Sequence, residues 1–120
     1  MDLLQTTLQR YFGWSSFRSG QRPVVECLLA GKDCLAVLPT GGGKSLCYQL
    51  PALVRSGLVV VISPLVALME DQVLQLRRRG IEAACLHGGI EPGQRRRILE
   101  QVDAGTLRLL YLAPERLQGE

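Results

Sequence analysis

The run Leu38-Pro39-Thr40-Gly41-Gly42-Gly43-Lys44-Ser45 constrains this chain more than any other feature. It lies between an apolar stretch, Cys34 to Leu38, and a helical pattern that begins at Lys44. Three consecutive glycines let the backbone turn where a Cβ would clash, so successive N–H groups can converge on an anion. The helix behind them adds its unpaired N–H groups and its positive dipole end. Lys44 is spaced to reach outer phosphates, and the Ser45 hydroxyl to hold Mg²⁺. The run therefore reads as a phosphate cradle between a strand and a helix. It departs from the general pattern at one point, because Leu38 stands where the leading Gly belongs.

A chain of 120 residues makes one domain, at the small end for a nucleotide-binding α/β fold. With 47% hydrophobic and 21% charged residues, it does not have the composition of a long disordered segment. The net charge of +3 is too mild to predict nucleic-acid binding by itself. Cys27, Cys34, Cys47 and Cys85 lie in apolar contexts without a CxxC pair, which predicts buried free thiols in a reducing compartment and no metal site. No uncharged run approaches the ~18 residues of a membrane span. A soluble protein of the cytoplasm, near the nucleoid in a bacterium, is the expectation.

Short apolar runs alternate with helical patterns. Cys34–Leu38, Leu58–Ile62, Ile81–Leu86 and Leu107–Leu112 read as strands. The unbroken run Val59 to Ile62 predicts a strand covered on both faces, hence a parallel sheet. Helices are predicted over Lys44–Arg55, over Leu65–Arg79 and over Glu91–Ala104. The second carries Leu65, Leu68, Met69, Val73 and Leu76 on one stripe and stops at Gly80; the third faces Ile98, Leu99 and Val102 inward. Two further helices, Leu3–Tyr11 and Pro23–Ala30, precede the sheet. The order βαβαβαβ implies right-handed crossovers and a ligand site at the carboxyl ends of the strands.

Several segments carry groups suited to recognition. Gln21 offers the paired donor and acceptor that an adenine edge needs, while Trp14 and Arg18 offer planar surfaces; Trp14 and Phe17 are equally suited to packing the first two helices. Ser63 can donate to a phosphate or cap the helix after Pro64. His87 has no Cys or paired carboxylate beside it in sequence, which favours a hydrogen-bonding role over metal or base chemistry. Arg77-Arg78-Arg79 and Arg95-Arg96-Arg97 sit on helices and need no ligand beyond solvent and, for the first, the helix dipole.

The stretch Tyr11-Phe12-Gly13-Trp14 through Phe17-Arg18-Ser19-Gly20-Gln21, followed by Pro39-Thr40-Gly41-Gly42-Gly43-Lys44-Ser45-Leu46-Cys47-Tyr48-Gln49-Leu50-Pro51-Ala52, resembles the RecQ family of superfamily 2 DNA helicases. The resemblance covers essentially the whole chain, and it turns Leu38 from a defect into a family mark. It implies an incomplete α/β P-loop NTPase (RecA-like) fold, a three-layer sandwich with a mostly parallel sheet, preceded by two N-terminal helices. Residues 1–31 would hold the adenine loop and 32–120 the core of a partial helicase ATP-binding domain. ATP would be held by Trp14, Arg18, Gln21, Thr40, Gly41, Gly42, Gly43, Lys44, Ser45 and Leu46, with Lys44 and Ser45 serving hydrolysis and Ser45 the Mg²⁺. Single-stranded and partially duplex DNA would meet Ser63, Pro64 and Leu65, then Gly88 and Gly89, then Pro114 and Glu115, the last used by the family outside hydrolysis. Zinc belongs to a part of the family absent from these residues.

Hydrolysis also needs a carboxylate at a strand end and an arginine against the γ-phosphoryl charge. Ser63, His87 and Ala113 follow the strands instead, so no Asp-Glu-x-His element ends one of them. The expectation is the amino-terminal part of a 3′ to 5′ DNA helicase, inactive alone and prone to associate through an exposed sheet edge or apolar face. A non-catalytic nucleotide- or DNA-binding module and a small-molecule P-loop kinase are the alternatives.

Overall fold

In a computed structural model, residues 2–38 and 43–114 are described. The chain divides into two compact units, Met1–Ser56 and Gly57–Glu120.

The first unit is helical. α1 (Leu3–Phe12) starts where the Asp2 carboxylate accepts the Gln5 N–H at 3.0 Å, and ends at Gly13, whose N–H donates to the Gln9 carbonyl. Its i, i+4 pair Leu4 and Leu8, joined by Phe12, turns inward. α2 (Gln21–Leu29) buries Val25, and α3 (Leu46–Val54) buries Leu46, Cys47, Leu50 and Ala52. Both α1 and α2 pack on α3. Leu8, Val25 and Leu50 are completely buried, which makes them the centre of this unit.

The second unit is a three-stranded parallel sheet with its crossover helices: β1 (Val59–Ile62), α4 (Val66–Arg78), β2 (Ala83–Leu86), α5 (Pro92–Ala104) and β3 (Leu109–Leu112). The spatial order is β1-β3-β2, so the chain crosses past the central position and then returns to it. Right-handed crossovers in opposite directions put their helices on opposite faces. The packing agrees. Ala84, Leu86 and Leu110 cluster with Ile98 of α5 and with Leu107, while Cys85 on the alternate face lies beside Val73 and Arg77 of α4. The result is a helix, sheet, helix arrangement of the P-loop NTPase type.

Four expectations need correction. Cys34–Leu38 pairs with no strand among the described residues, and Leu35 and Val37 are 93% and 88% exposed. An apolar run is a strand only when a neighbour takes up its N–H and C=O groups, and the described ladders join β1, β2 and β3 alone. β1 is likewise not covered on both faces: it is an end strand of the described sheet, and Val60 and Ile62 are about half exposed. On α4, Met69, Val73 and Leu76 are buried as predicted, but Leu65 and Leu68 are exposed, and so is Leu99 of α5. Each lies beside a correctly placed residue on the helix surface, because the stripe that the sheet covers is narrower than the apolar one. Cys34, finally, is exposed and Cys27 half-buried, whereas Cys47 and Cys85 are buried as expected.

Candidate functional site

In the first unit the described geometry brackets the phosphate loop. Gly20, the N-cap of α2 with φ 87°, lies so close to Leu38 that a Cβ on it would come within 2.8 Å of the leucine Cδ2. Gln21 reaches the other end of the loop and donates from Nε2 to the Gly43 carbonyl at 3.1 Å. Its Oε1 accepts the Arg18 N–H at 2.8 Å, and its own N–H donates to the Arg18 carbonyl. The carboxamide is thus held at both ends and is only 3% exposed. Gly43 has φ 77°, and a Cβ there would sit 2.3 Å from Gln21 Nε2. Only glycine fits, on both counts.

The start of α3 is wound tightly. Leu46 and Cys47 donate to the Gly43 and Lys44 carbonyls three residues back. The backbone N–H groups of Lys44 and Ser45 have no acceptor among the described residues, the condition that makes a helix start an anion site. Lys44 is exposed, and Ser45 makes no side-chain cap bond. Leu46 is buried, so it anchors the helix and its N–H is already used. Burial, then Cys34, pushes the adjacent Cys47 thiol up, which keeps a neutral residue behind the cradle. Thr40, Gly41 and Gly42 lie outside the described residues. Arg18 stacks over the Trp14 ring at 5.4 Å, and Trp14 is half exposed, so the pair forms a planar surface and is not core packing.

In the second unit the register levels the ends of the strands. Ile62 aligns with Leu112, and Leu112 with Leu86. The Ser63 N–H donates to the Leu112 carbonyl and the Ala113 N–H to the Leu86 carbonyl, so three strand-end loops leave one edge together. Ser63 Oγ accepts the Leu65 N–H at 3.2 Å, which makes it a turn former ahead of α4. Pro64, Leu65, Gly88, Gly89 and Pro114 are exposed along that edge, and Glu115 lies outside the described residues. The geometry thus gathers the predicted DNA-facing residues that it describes.

His87 has the hydrogen-bonding role expected of it. Its Nδ1 accepts the Gly89 N–H at 3.0 Å, which leaves the proton on Nε2 to face Glu70 Oε2 at 3.1 Å. The glycine loop after β2 is therefore tied to α4. Glu70, seventeen residues away, left no signal in the sequence. Nor did Arg77, which does more than meet solvent: its Nε donates to the Ala83 carbonyl at 2.9 Å. Together with Cys85 and Gln94, Glu70 and Arg77 line a cavity of about 270 Å³ beside β2. Burial, then the Glu70 charge, pushes the Cys85 thiol up.

Residues 18–119 match the DEAD/DEAH box helicase family. The chain is 55% identical over 117 residues to the ATP-dependent DNA helicase RecQ of Synechocystis, covering 98% of this chain and 24% of that protein. It is 50% identical to the probable ATP-dependent DNA helicase RecS of Bacillus subtilis, over 99% of this chain and 24% of that one. The RecQ of Pasteurella multocida is 48% identical over 92% of this chain and 17% of its own length. The chain thus spans about a quarter or less of these relatives.

Proposed function

Because the chain belongs to the DEAD/DEAH box helicase family, we propose that it supplies ATP recognition and part of the DNA track of a RecQ-type 3′ to 5′ DNA helicase. The observation that carries this reading is the Gln21 to Gly43 hydrogen bond, which joins a base-reading group to the phosphate loop. One segment, Gly20-Gln21, touches both ends of that loop, so base and phosphate recognition share a support.

In this reading Gln21 exchanges its bonds to Arg18 and Gly43 for the adenine edge, beside the Trp14 and Arg18 surface. The N–H groups of Lys44 and Ser45, with those of Thr40 to Gly43, receive the phosphates, and the Lys44 ammonium neutralises their outer charge. A Mg²⁺ ion fits what is present: Ser45 makes no side-chain cap bond, so its hydroxyl oxygen can serve a hard cation that takes its other ligands from phosphate and water. Ser45 would hold it, and the ion would spread charge over the phosphate oxygens when bound. Residues 1–31 serve as the adenine-recognition part and 32–120 as the core of a partial ATP-binding domain. Single-stranded and partially duplex DNA run along the strand-end edge of the second unit, meeting Ser63, Pro64, Leu65, Gly88, Gly89, Pro114 and Glu115. DNA as substrate puts the protein in the cytoplasm, at the nucleoid in a bacterium.

Titration of labelled ATP and GTP tests the nucleotide reading. Wild type is expected to prefer ATP, Gln21→Ala to lose about 1–3 kcal/mol of that preference, the cost of stranding polar partners, and Lys44→Ala to weaken both nucleotides. Equal discrimination by Gln21→Ala and wild type would reject adenine reading by this loop.

A further inference from the structure

The end of α2 builds a pair of thiols that neither nucleotide nor DNA chemistry uses. The Gly31 N–H donates to the Leu28 carbonyl at 3.1 Å and the Lys32 N–H to the Cys27 carbonyl at 3.2 Å. These two bonds, with Gly31 at φ 77°, form the turn by which a helix ends and its chain folds back over the last turn. The reversal returns the next residues to Cys27, whose Sγ lies 3.6 Å from the Asp33 carbonyl oxygen. Cys34 is the residue that directly follows this contact, so the turn brings its backbone back beside Cys27. The pair is thus made by local backbone geometry and needs no distant packing. Cys34 is exposed and Cys27 half-buried, so a small reagent has access to the site, unlike the buried Cys47.

We propose that Cys27 and Cys34 form a reversible dithiol site whose substrates are low-molecular-weight disulfides. The Cys34 thiolate attacks one sulfur of the disulfide and expels its partner as a thiolate, leaving a mixed disulfide. The Cys27 thiolate then attacks the Cys34 sulfur and expels the second small thiolate. Two protein thiols are oxidised, the reagent's sulfur–sulfur bond is reduced, and the two protons pass to the departing thiolates. Partial desolvation, then the neighbouring Cys27 thiol, pushes the Cys34 thiol up, so exchange accelerates as pH rises above neutral. The bond ties the segment that leads into the phosphate loop to the helix that starts with Gln21.

The test treats the folded 120-residue chain with hydroxyethyl disulfide, followed by tryptic mass mapping; cleavage after Lys32 separates the two cysteines. The expected product is a peptide pair joined between Cys27 and Cys34, lighter by two hydrogens and released by dithiothreitol. It should persist in Cys47→Ser and vanish in Cys27→Ser and Cys34→Ser. A link from Cys34 to Cys47, a mixed disulfide that persists at Cys34, or a Cys27 to Cys34 link formed only in urea would each overturn the proposal.

Discussion

Gly43 shows how much can depend on a missing side chain. Its φ is positive, and a Cβ placed on it would stand 2.3 Å from Gln21 Nε2, so two constraints act at the same atom. Gly43→Ala is expected to cost about 1–3 kcal/mol in backbone strain alone and to displace Gln21. ATP affinity, measured by calorimetry, should fall at least ~10-fold, whereas Gly93→Ala, with nothing near its Cβ position, should leave it unchanged. Asp2 offers a test by pH. Hydrogen bonding from Arg22, then from the Gln5 N–H, holds its carboxyl below the usual range. A lowered carboxyl pKa stabilises the fold above the ordinary value of ~3.9, and that contribution is lost as pH falls through the lowered one. Protection factors of the α1 amides, which are exchange rates corrected for the intrinsic rate at each pH, should therefore fall on acidification in wild type and lose that dependence in Asp2→Asn. The identities of Gln21, Gly43 and Lys44 were legible in the sequence. The Gln21 to Gly43 bond was not, because it spans twenty-two residues and follows from where α2 and α3 pack.

At the scale of elements, period and punctuation served well. Met69, Val73 and Leu76 mark the face of α4, and Pro92 and Gly105 bound α5 within a residue of the prediction. Strand runs were less informative, since Val59 to Ile62 and Cys34 to Leu38 are both uncharged apolar runs, yet only the first pairs within the described sheet. Apolar character says that a segment gains from burial, not which neighbour supplies it. β1 consequently keeps an outer edge with no partner among the described residues, flanked by half-exposed Val60 and Ile62. Such an edge templates association. Light scattering is expected to show association that grows with concentration and is reduced by Ile62→Lys, with a stability change within ~0.5 kcal/mol because the side chain is already half in water. Unchanged association would assign it to another surface.

For the molecule as a whole, the parts present divide binding from cleavage. In the proposed reading Lys44 and Ser45 grip a triphosphate, but Ser63, His87 and Ala113 stand after the strands where a hydrolytic carboxylate would be needed. The 120 residues are expected to bind nucleotide without turning it over and to leave a DNA duplex unopened. DNA-stimulated ATPase from the purified chain, abolished by Lys44→Ala, would contradict this. Binding of single-stranded DNA should weaken steeply with salt, as for any phosphate track.

The level register of β1, β3 and β2 gives the proposed DNA track a scale. Neighbouring strands lie ~4.8 Å apart, so the loops after Ile62, Leu112 and Leu86 span roughly 10 Å across two gaps. A stacked strand advances ~3.4 Å per nucleotide, which makes this width a ruler of about three nucleotide steps. Tetranucleotides should be the shortest oligomers to touch all three loops, and a dinucleotide must choose between them.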